Sequence, residues 1–443
     1  MEKSGSADLH VNIIERVVVA PCQPTPKTIL QLSSIDKMGG GFANVLLVFG
    51  ASHGVSADPA KTIREALSKT LVFYFPFAGR LRKKEDGDIE VECIEQGALF
   101  VEAMADNDLS VVRDLDEYNP LFRQLQSSLS LDTDYKDLHL MTVQVTPFTC
   151  GGFVMGTSVH QSICDGNGLG QFFKSMAEIV RGEVKPSIEP IWNRELVKPE
   201  DYIHLQLYVS EFIRPPLVVE KVGQTSLVIS FEKINHIKRC IMEESKESFS
   251  SFEIVTAMVW LARTRAFQIP HNEDVTLLLA MDARRSFDPP IPKGYYGNVI
   301  GTTYAKDNVH NLLSGSLLHA LTVIKKSMSS FYENMTSRVL VNPSTLDLSM
   351  KYENVVSLSD WSRLGHNEVD FGWGNAINVS TLQQQWENEV AIPTFFTFLQ
   401  TPKNIPDGIK ILMFMPPSRE KTFEIEVEAM IRKYLTKVSH SKL

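Results

Sequence analysis

Hydrophobic positions along this chain repeat at two periods, and the change from one to the other marks its elements. After Asp58-Pro59, which suit an N-cap and a first helical turn, Ile63, Ala66, Leu67 and Leu71 recur at helical spacing, so a helix is predicted there. Asp86-Gly87 then precedes the alternating run Ile89-Glu-Val-Glu-Cys93, the signature of a hairpin. The β-rich runs Leu140–Val145 and Phe153–Val159, joined through Cys150-Gly151-Gly152, predict a second hairpin. Its return strand leads into His160-Gln-Ser-Ile-Cys-Asp165-Gly166. Beyond it, Leu169, Phe172, Phe173, Met176 and Ile179 mark one side of a helix that Gly182 ends. The HQSICDG segment is thus placed between a strand end and a helix start, where polar side chains can enter a cleft.

From Glu183 to about Val222 the pattern breaks, with Pro186, Pro190, Pro199, Pro215 and Pro216 interrupting any long regular element. The second half opens with a strand over Thr225–Phe231 and a helix carrying Ile234, Ile237 and Ile241. Ser250-Ser-Phe-Glu253 then reads as a capping box before a helix through Ala266. Strands at Asp274–Met281 and Lys410–Met415 alternate with helices around Val309–Met328 and over Arg419–Tyr434. This is mixed α/β or α+β layering. With 443 residues the chain exceeds what one core usually supports. Two domains are expected, residues 1–182 carrying HQSICDG and 223–443 carrying Asp370-Phe-Gly-Trp-Gly374, with 183–222 as the crossover.

Composition is that of an ordinary globular protein. A formal net charge of −9 gives no electrostatic reason to expect nucleic acid or an anionic membrane as partner. No apolar run approaches the ~20 residues that span a bilayer, and the N-terminus lacks the pattern of a signal peptide. Cys22, Cys93, Cys150, Cys164 and Cys240 are odd in number and lack CxxC spacing, so free thiols, a cytoplasmic setting and idle sequons at Asn334 and Asn378 are expected. Ser441-Lys442-Leu443 spells a peroxisomal address, which keeps that compartment open.

Three clusters carry candidate chemistry. His160 and Asp165 flank a short Gly-bounded loop, and imidazole is the side chain suited to proton transfer near neutral pH; a histidine near an aspartate is, however, more often only hydrogen-bonded. Asp370-Phe-Gly-Trp-Gly374 suits a tight backbone near a ligand or equally a plain turn with a core Trp. Asp282-Ala-Arg284 and Gly294-Tyr-Tyr-Gly-Asn298 form the third, with Arg284 a candidate partner for Asp370. Gly166-Asn-Gly168-Leu-Gly170 matches a dinucleotide fingerprint only loosely, because Gln171 stands where the third glycine belongs. Phosphate-loop, zinc-protease and nucleophile-elbow motifs are absent, and no metal is implied.

Taken together and in order, FYFPFAGRLR (Phe73–Arg82), QVTPFTCGGF into CDG (Gln144–Gly166), SSFEIVTAMVWLARTRA (Ser250–Ala266), GYYGN, DFGWG and DGIKILMFMPP (Asp407–Pro417) resemble the plant BAHD family of acyl-CoA-dependent acyltransferases. SADPAKTIREALSK, GALFVEAMADNDLSV and EPIWNRELVKPED are similar to the yew taxane O-acyltransferases within it. The resemblance covers essentially the whole chain. It implies two domains of the chloramphenicol-acetyltransferase type with a channel between them, acyl-CoA entering from one side and an alcohol from the other. It also implies a monomer. The family's base is the His of HxxxDG, its Asp is structural, and by carry-over Asp165 holds the loop while Asp370 braces DFGWG. Trp373 is the candidate oxyanion donor, and Ser250 and Ser251, at a helix start, are candidates for CoA phosphate or pantetheine. Simple capping explains those serines equally well.

The departure from the pattern is at the base. Counting back from Asp165-Gly166, the family's His falls on Gln161, and His160 comes one residue early. Neighbours on a strand point to opposite faces. Three readings follow: a bulge turns His160 into the slot; Gln161 only orients the hydroxyl while water or a basic group of the substrate takes the proton; or the protein binds CoA or a taxane without catalysis. The resemblance implies acyl transfer from CoA to a taxane hydroxyl, acetyl being the commonest donor group and aroyl or 3-amino-3-phenylpropanoyl the alternative.

Overall fold

The computed structural model describes residues 9–38, 41–52, 58–112, 115–117, 119–127, 137–197, 213–214, 222–337, 350–382 and 394–437. Pro199, Pro215, Pro216 and Ser441-Lys442-Leu443 lie outside them. The chain runs β1 (Val11–Val19), β2 (Thr28–Gln31), α1 (Ser34–Met38), β3 (Phe42–Phe49), α2 (Pro59–Phe73), β4 (Arg80–Lys83), β5 (Ile89–Cys93), β6 (Ala98–Ala105), β7 (Met141–Pro147), β8 (Phe153–His160) and α3 (Gly166–Val180). It continues through β9 (Ile213–Arg214), β10 (Gly223–Ser230), α4 (Phe231–Ser245), α5 (Ser251–Ala266), β11 (Asp274–Asp282), β12 (Ile300–Asn308), α6 (Val309–Ser314), α7 (Leu317–Ser337), β13 (Met350–Lys351), β14 (Val355–Asp360), β15 (Asn378–Thr381), β16 (Thr394–Gln400), β17 (Gly408–Met415) and α8 (Pro417–Lys437).

Two six-stranded mixed sheets organise it, in the orders β1-β6-β7-β8-β3-β15 and β10-β17-β16-β14-β11-β12. In the first, β6 and β7 run parallel while β7, β8 and β3 are antiparallel. Strand alternation sorts its side chains. Val45, Leu47, Phe49, Val143, Val145, Phe153, Met155 and Val159 share one core with the apolar faces of α2 and α3. Asn44, Leu46, Thr142, Gln144, Ser158 and His160 lie on the opposite face. The second core gathers around α5, whose Ile254, Val255, Met258 and Trp260 are all buried among α4, α7, α8 and the second sheet. A helix apolar on nearly every side belongs at the centre of a layered domain.

The local signals act as read. Asp58 Oδ1 accepts from the Ala60 and Lys61 amides at the start of α2, and Gly87, at φ 89°, turns β4 into β5. The single helix expected around Val309–Met328 is instead two. At Gly315 the chain leaves helical geometry, with ψ 165°, and α7 starts afresh. The expected division by sequence also differs from the division in space. β15 crosses back to pair antiparallel with β3, Asn378 opposite Val48, and Phe371, Trp373 and Ala376 join the core of the first sheet. The DFGWG segment therefore packs with residues of the N-terminal half.

One buried cation ties this crossing together. Lys410, on β17, places Nζ 2.9 Å from Asp116 Oδ1 and donates to Asn378 Oδ1 and the Val379 carbonyl at 2.8 and 2.7 Å. Burial pushes its pKa down and Asp116 opposes that shift. Asn378 is occupied and buried here, so the sequon at that position is not accessible in the fold.

Candidate active site

β8 keeps regular register with both neighbours up to its last residue, Phe42 facing His160 across β3 and Met141 facing Val159 across β7. The His160 amide donates to the Leu140 carbonyl at 2.9 Å and the Gln161 amide to the Gly41 carbonyl at 2.8 Å. No bulge intervenes, so the first reading of this segment loses its structural basis. His160 is 3% exposed and its ring stands edge-on to Phe42 at 5.0 Å. The Ser162 amide donates to His160 Nδ1 at 3.2 Å. Burial lowers the His160 pKa to about 4. A ring so placed has one lone pair occupied and little appetite for a proton. Gln161, by contrast, is exposed at the turn.

Asp165 explains why the turn holds. It caps α3 by accepting from the Gly168 amide at 2.9 Å, and its Oδ2 accepts from the Val299 amide at 3.1 Å. Arg284 Nη2 reaches both carboxylate oxygens, at 2.9 and 2.8 Å, and also donates to the Gly297 carbonyl. The carboxylate thus joins the strand-to-helix turn of the first half to the GYYGN segment of the second. This corrects the pairing expected from sequence: Arg284 partners Asp165 and Asp282, not Asp370. Asp370 instead folds its own loop, Oδ1 accepting from the Gly372 and Gly374 amides at 2.7 and 2.9 Å. Both glycines take positive φ, 99° and 83°, which brings their amides round to one oxygen. The Asp370 carbonyl accepts from Arg181 at 3.0 Å.

A second carboxylate, given no role by the sequence reading, buttresses the same turn. Asp36 is fully buried at the start of the first half, and Arg194 Nε lies 2.7 Å from its Oδ2. Arg194 Nη2 donates to the Ile163 carbonyl at 2.6 Å, and its guanidinium stacks 3.8 Å above the Trp192 ring. Asn298 donates to Asp36 through both its backbone amide and its side chain, and to the Gln161 carbonyl at 2.7 Å. Asn298 stood within GYYGN as an ambiguous residue; Asp36 and Arg194 carried no signal because their partners lie far away in sequence.

Trp373 is placed elsewhere. Its ring packs edge-on to Phe153 at 5.3 Å, in the core of the first sheet. Phe153 and His160 are opposite ends of β8, roughly 23 Å apart at the rise of an extended strand. The fold therefore brings Gln161, Asp165, Arg284 and Asn298 together and leaves Trp373 and Asp370 apart from them. Ser250 forms the expected capping box: its Oγ accepts from the Glu253 amide at 3.1 Å while Glu253 accepts from the Ser250 amide at 2.7 Å. Ser251 is the first residue of α5.

Comparison with known proteins agrees with this architecture. The profile of the Transferase family matches residues 9–430. Baccatin III:3-amino-3-phenylpropanoyltransferase of Taxus cuspidata is 63% identical, covering 100% of both chains. Taxadien-5-alpha-ol O-acetyltransferase of the same species is 59% identical over 99% of this chain and 100% of its own. The crystal structure of vinorine synthase superposes with a TM-score of 0.71 over 95% of this chain and 98% of that one; at 20% identity it speaks for the fold. With two mixed sheets, a turn braced across the two halves and likeness running from end to end, this chain belongs to the Transferase family, the BAHD acyltransferases.

Proposed function

We propose that the protein transfers an acyl group from a CoA thioester to a hydroxyl of a taxane diterpenoid, and that it does so without a histidine base. The observation that carries the reading is the braced turn. In a chain matched throughout by Taxus acyltransferases, position 161 is held at the surface by Asp165, Arg284 and Asn298, yet presents an amide. The hydroxyl oxygen attacks the thioester carbonyl, a C–O bond forms, the C–S bond breaks, and the hydroxyl proton ends on the departing sulfur as CoA thiol. Gln161 orients the hydroxyl through its side-chain amide, but takes no proton. Positioning alone supplies a large share of such catalysis, whereas a general base typically adds roughly 10²–10⁴-fold. Transfer is slowed by the substitution, not abolished. Ser250 and Ser251, at the N-terminus of α5, are our candidates for the CoA phosphate or pantetheine groups.

Acetyl-CoA is the first donor to test. A donor bearing an amino group, such as 3-amino-3-phenylpropanoyl-CoA, is a second reading favoured by the absence of a proton acceptor at position 161, because the amine brings its own. The experiment is release of free CoA thiol by purified protein, with acetyl-, benzoyl- and aminophenylpropanoyl-CoA against taxadien-5α-ol and baccatin III. Turnover with at least one pair is expected; intact thioester with every pair favours a non-catalytic binder. Within the active reading, His160→Ala should lower kcat by less than about tenfold, far short of the loss of a general base. A loss of a thousandfold in folded protein assigns the proton to His160 instead.

A further inference from the structure

Both hydrogens of the Asn298 side-chain amide are committed, one to Asp36 Oδ1 and one to the Gln161 carbonyl oxygen, each at 2.7 Å. Neither acceptor can donate in return, so the orientation of the amide is fixed and its other atom is the oxygen. Among the described residues no donor reaches that Oδ1, and Asn298 is only half-buried. An open acceptor therefore sits one amide group away from the backbone of Gln161, whose own side chain is exposed.

This acceptor is unlike an ordinary surface amide because of what stands behind it. Asp36 also accepts from the Ser33 amide and hydroxyl at 3.1 and 2.7 Å and from the Asn298 amide at 3.1 Å, with Arg194 Nε at 2.7 Å. Both oxygens of this carboxylate accept hydrogen bonds, and the Arg194 guanidinium is paired with its charge. In a buried setting such a charge polarises the amide bonded to it, drawing its N–H outward and leaving more negative charge on its oxygen.

We propose that Asn298 is a catalytic residue: its Oδ1 accepts the hydrogen of the attacking hydroxyl beside Gln161. Backed by Asp36, it stabilises the positive charge that grows on that hydroxyl as the C–O bond forms. No proton moves to Asn298. The hydrogen bond holds the hydroxyl hydrogen until the sulfur, freed by C–S cleavage, takes it. Asp36 acts through Asn298 and is a positioning residue. The assignment rests on the acyl-transfer reading above and deepens it, by giving the chain an electrostatic substitute for the base it lacks.

Two measurements test it. The first compares Asn298→Ala in the natural sequence and in a Gln161→His background. A lost charge-assisted hydrogen bond should lower kcat roughly 10- to 100-fold in the former, with KM for acyl-CoA unchanged. In the latter the loss should shrink to about threefold, because the imidazole takes over the hydroxyl hydrogen. The second needs no turnover: calorimetric binding of taxadien-5α-ol and of the taxadiene hydrocarbon that lacks its hydroxyl. Asn298→Ala should weaken the alcohol about 5- to 10-fold and leave the hydrocarbon untouched. Should Asn298→Ala not fold, Asn298→Ser, which keeps a donor for Asp36, carries the same comparison. Equal kcat loss in both backgrounds, or equal weakening of both ligands, reduces Asn298 to bracing and overturns the assignment. Hydroxyl-specific binding in a protein that releases no CoA sinks the acyl-transfer reading and the catalytic role with it, leaving Asn298 as the residue that binds the hydroxyl. Failure of the unaltered protein to bind these ligands or baccatin III sinks both.

Discussion

Gln161→His should raise kcat by roughly 10² or more, the low end of what a positioned general base contributes. The backbone at 161 is already set: its amide donates to Gly41, its carbonyl accepts from Asn298, and Asp165 fixes the next turn. A new imidazole therefore enters a prepared place. Position 161 is exposed, so nothing there desolvates the ring as burial desolvates His160, and near pH 7 it is free to accept the hydroxyl proton. The gain should be largest with acetyl-CoA and smallest with a donor that carries an amine, since only the former lacks any acceptor. An unchanged or lower kcat with acetyl-CoA, in protein that binds both substrates as before, contradicts the account of position 161.

Removing the Arg284 brace should be a costly single change to the fold near the site. Arg284→Ala leaves the Asp165 carboxylate, 4% exposed, with two backbone amides and no cation. Breaking one side of a buried pair costs ~3–5 kcal/mol, because the remaining charge stays desolvated. The loss is read from the midpoint of urea unfolding. Asp165→Asn together with Arg284→Ala should cost less than the sum of the two, as the surviving charge disappears with its partner. Costs that simply add, or a loss under about 1 kcal/mol for Arg284→Ala, mean that Arg284 is not what holds Asp165.

How much of this was legible in the sequence follows from the range of each interaction. Elements fixed by near neighbours were read correctly: the Asp58 and Ser250 caps, the Gly87 turn, the hairpin around Gly151, and the placing of HQSICDG between strand and helix. That position 161 carries Gln and not His was legible too, because it depends only on counting back four residues from Asp165. What escaped depends on partners far apart in the chain. Arg284 had two carboxylates within reach of argument, and only folding shows that Asp165 receives it while Asp370 closes on its own glycines. Asp36 meets Asn298 across more than 260 positions, so no local pattern marks it. Trp373 stood in a motif beside Asp370, but Phe153 draws its ring into the core of the first sheet. The helix expected over Val309–Met328 failed at Gly315, since its apolar spacing continues through a residue whose backbone leaves the helix.

The proposed transfer involves no titrating histidine, and the pH dependence of kcat puts that to the test. With acetyl-CoA as donor, neither Gln161 nor His160, whose pKa burial lowers to about 4, changes protonation between pH 5.5 and 8. Log kcat should be flat across that window. Gln161→His should introduce an acid limb, with activity falling as pH drops below the ordinary imidazole value of about 6.5. A limb near 6.5 already present in the natural sequence contradicts the account and places a histidine base in the reaction.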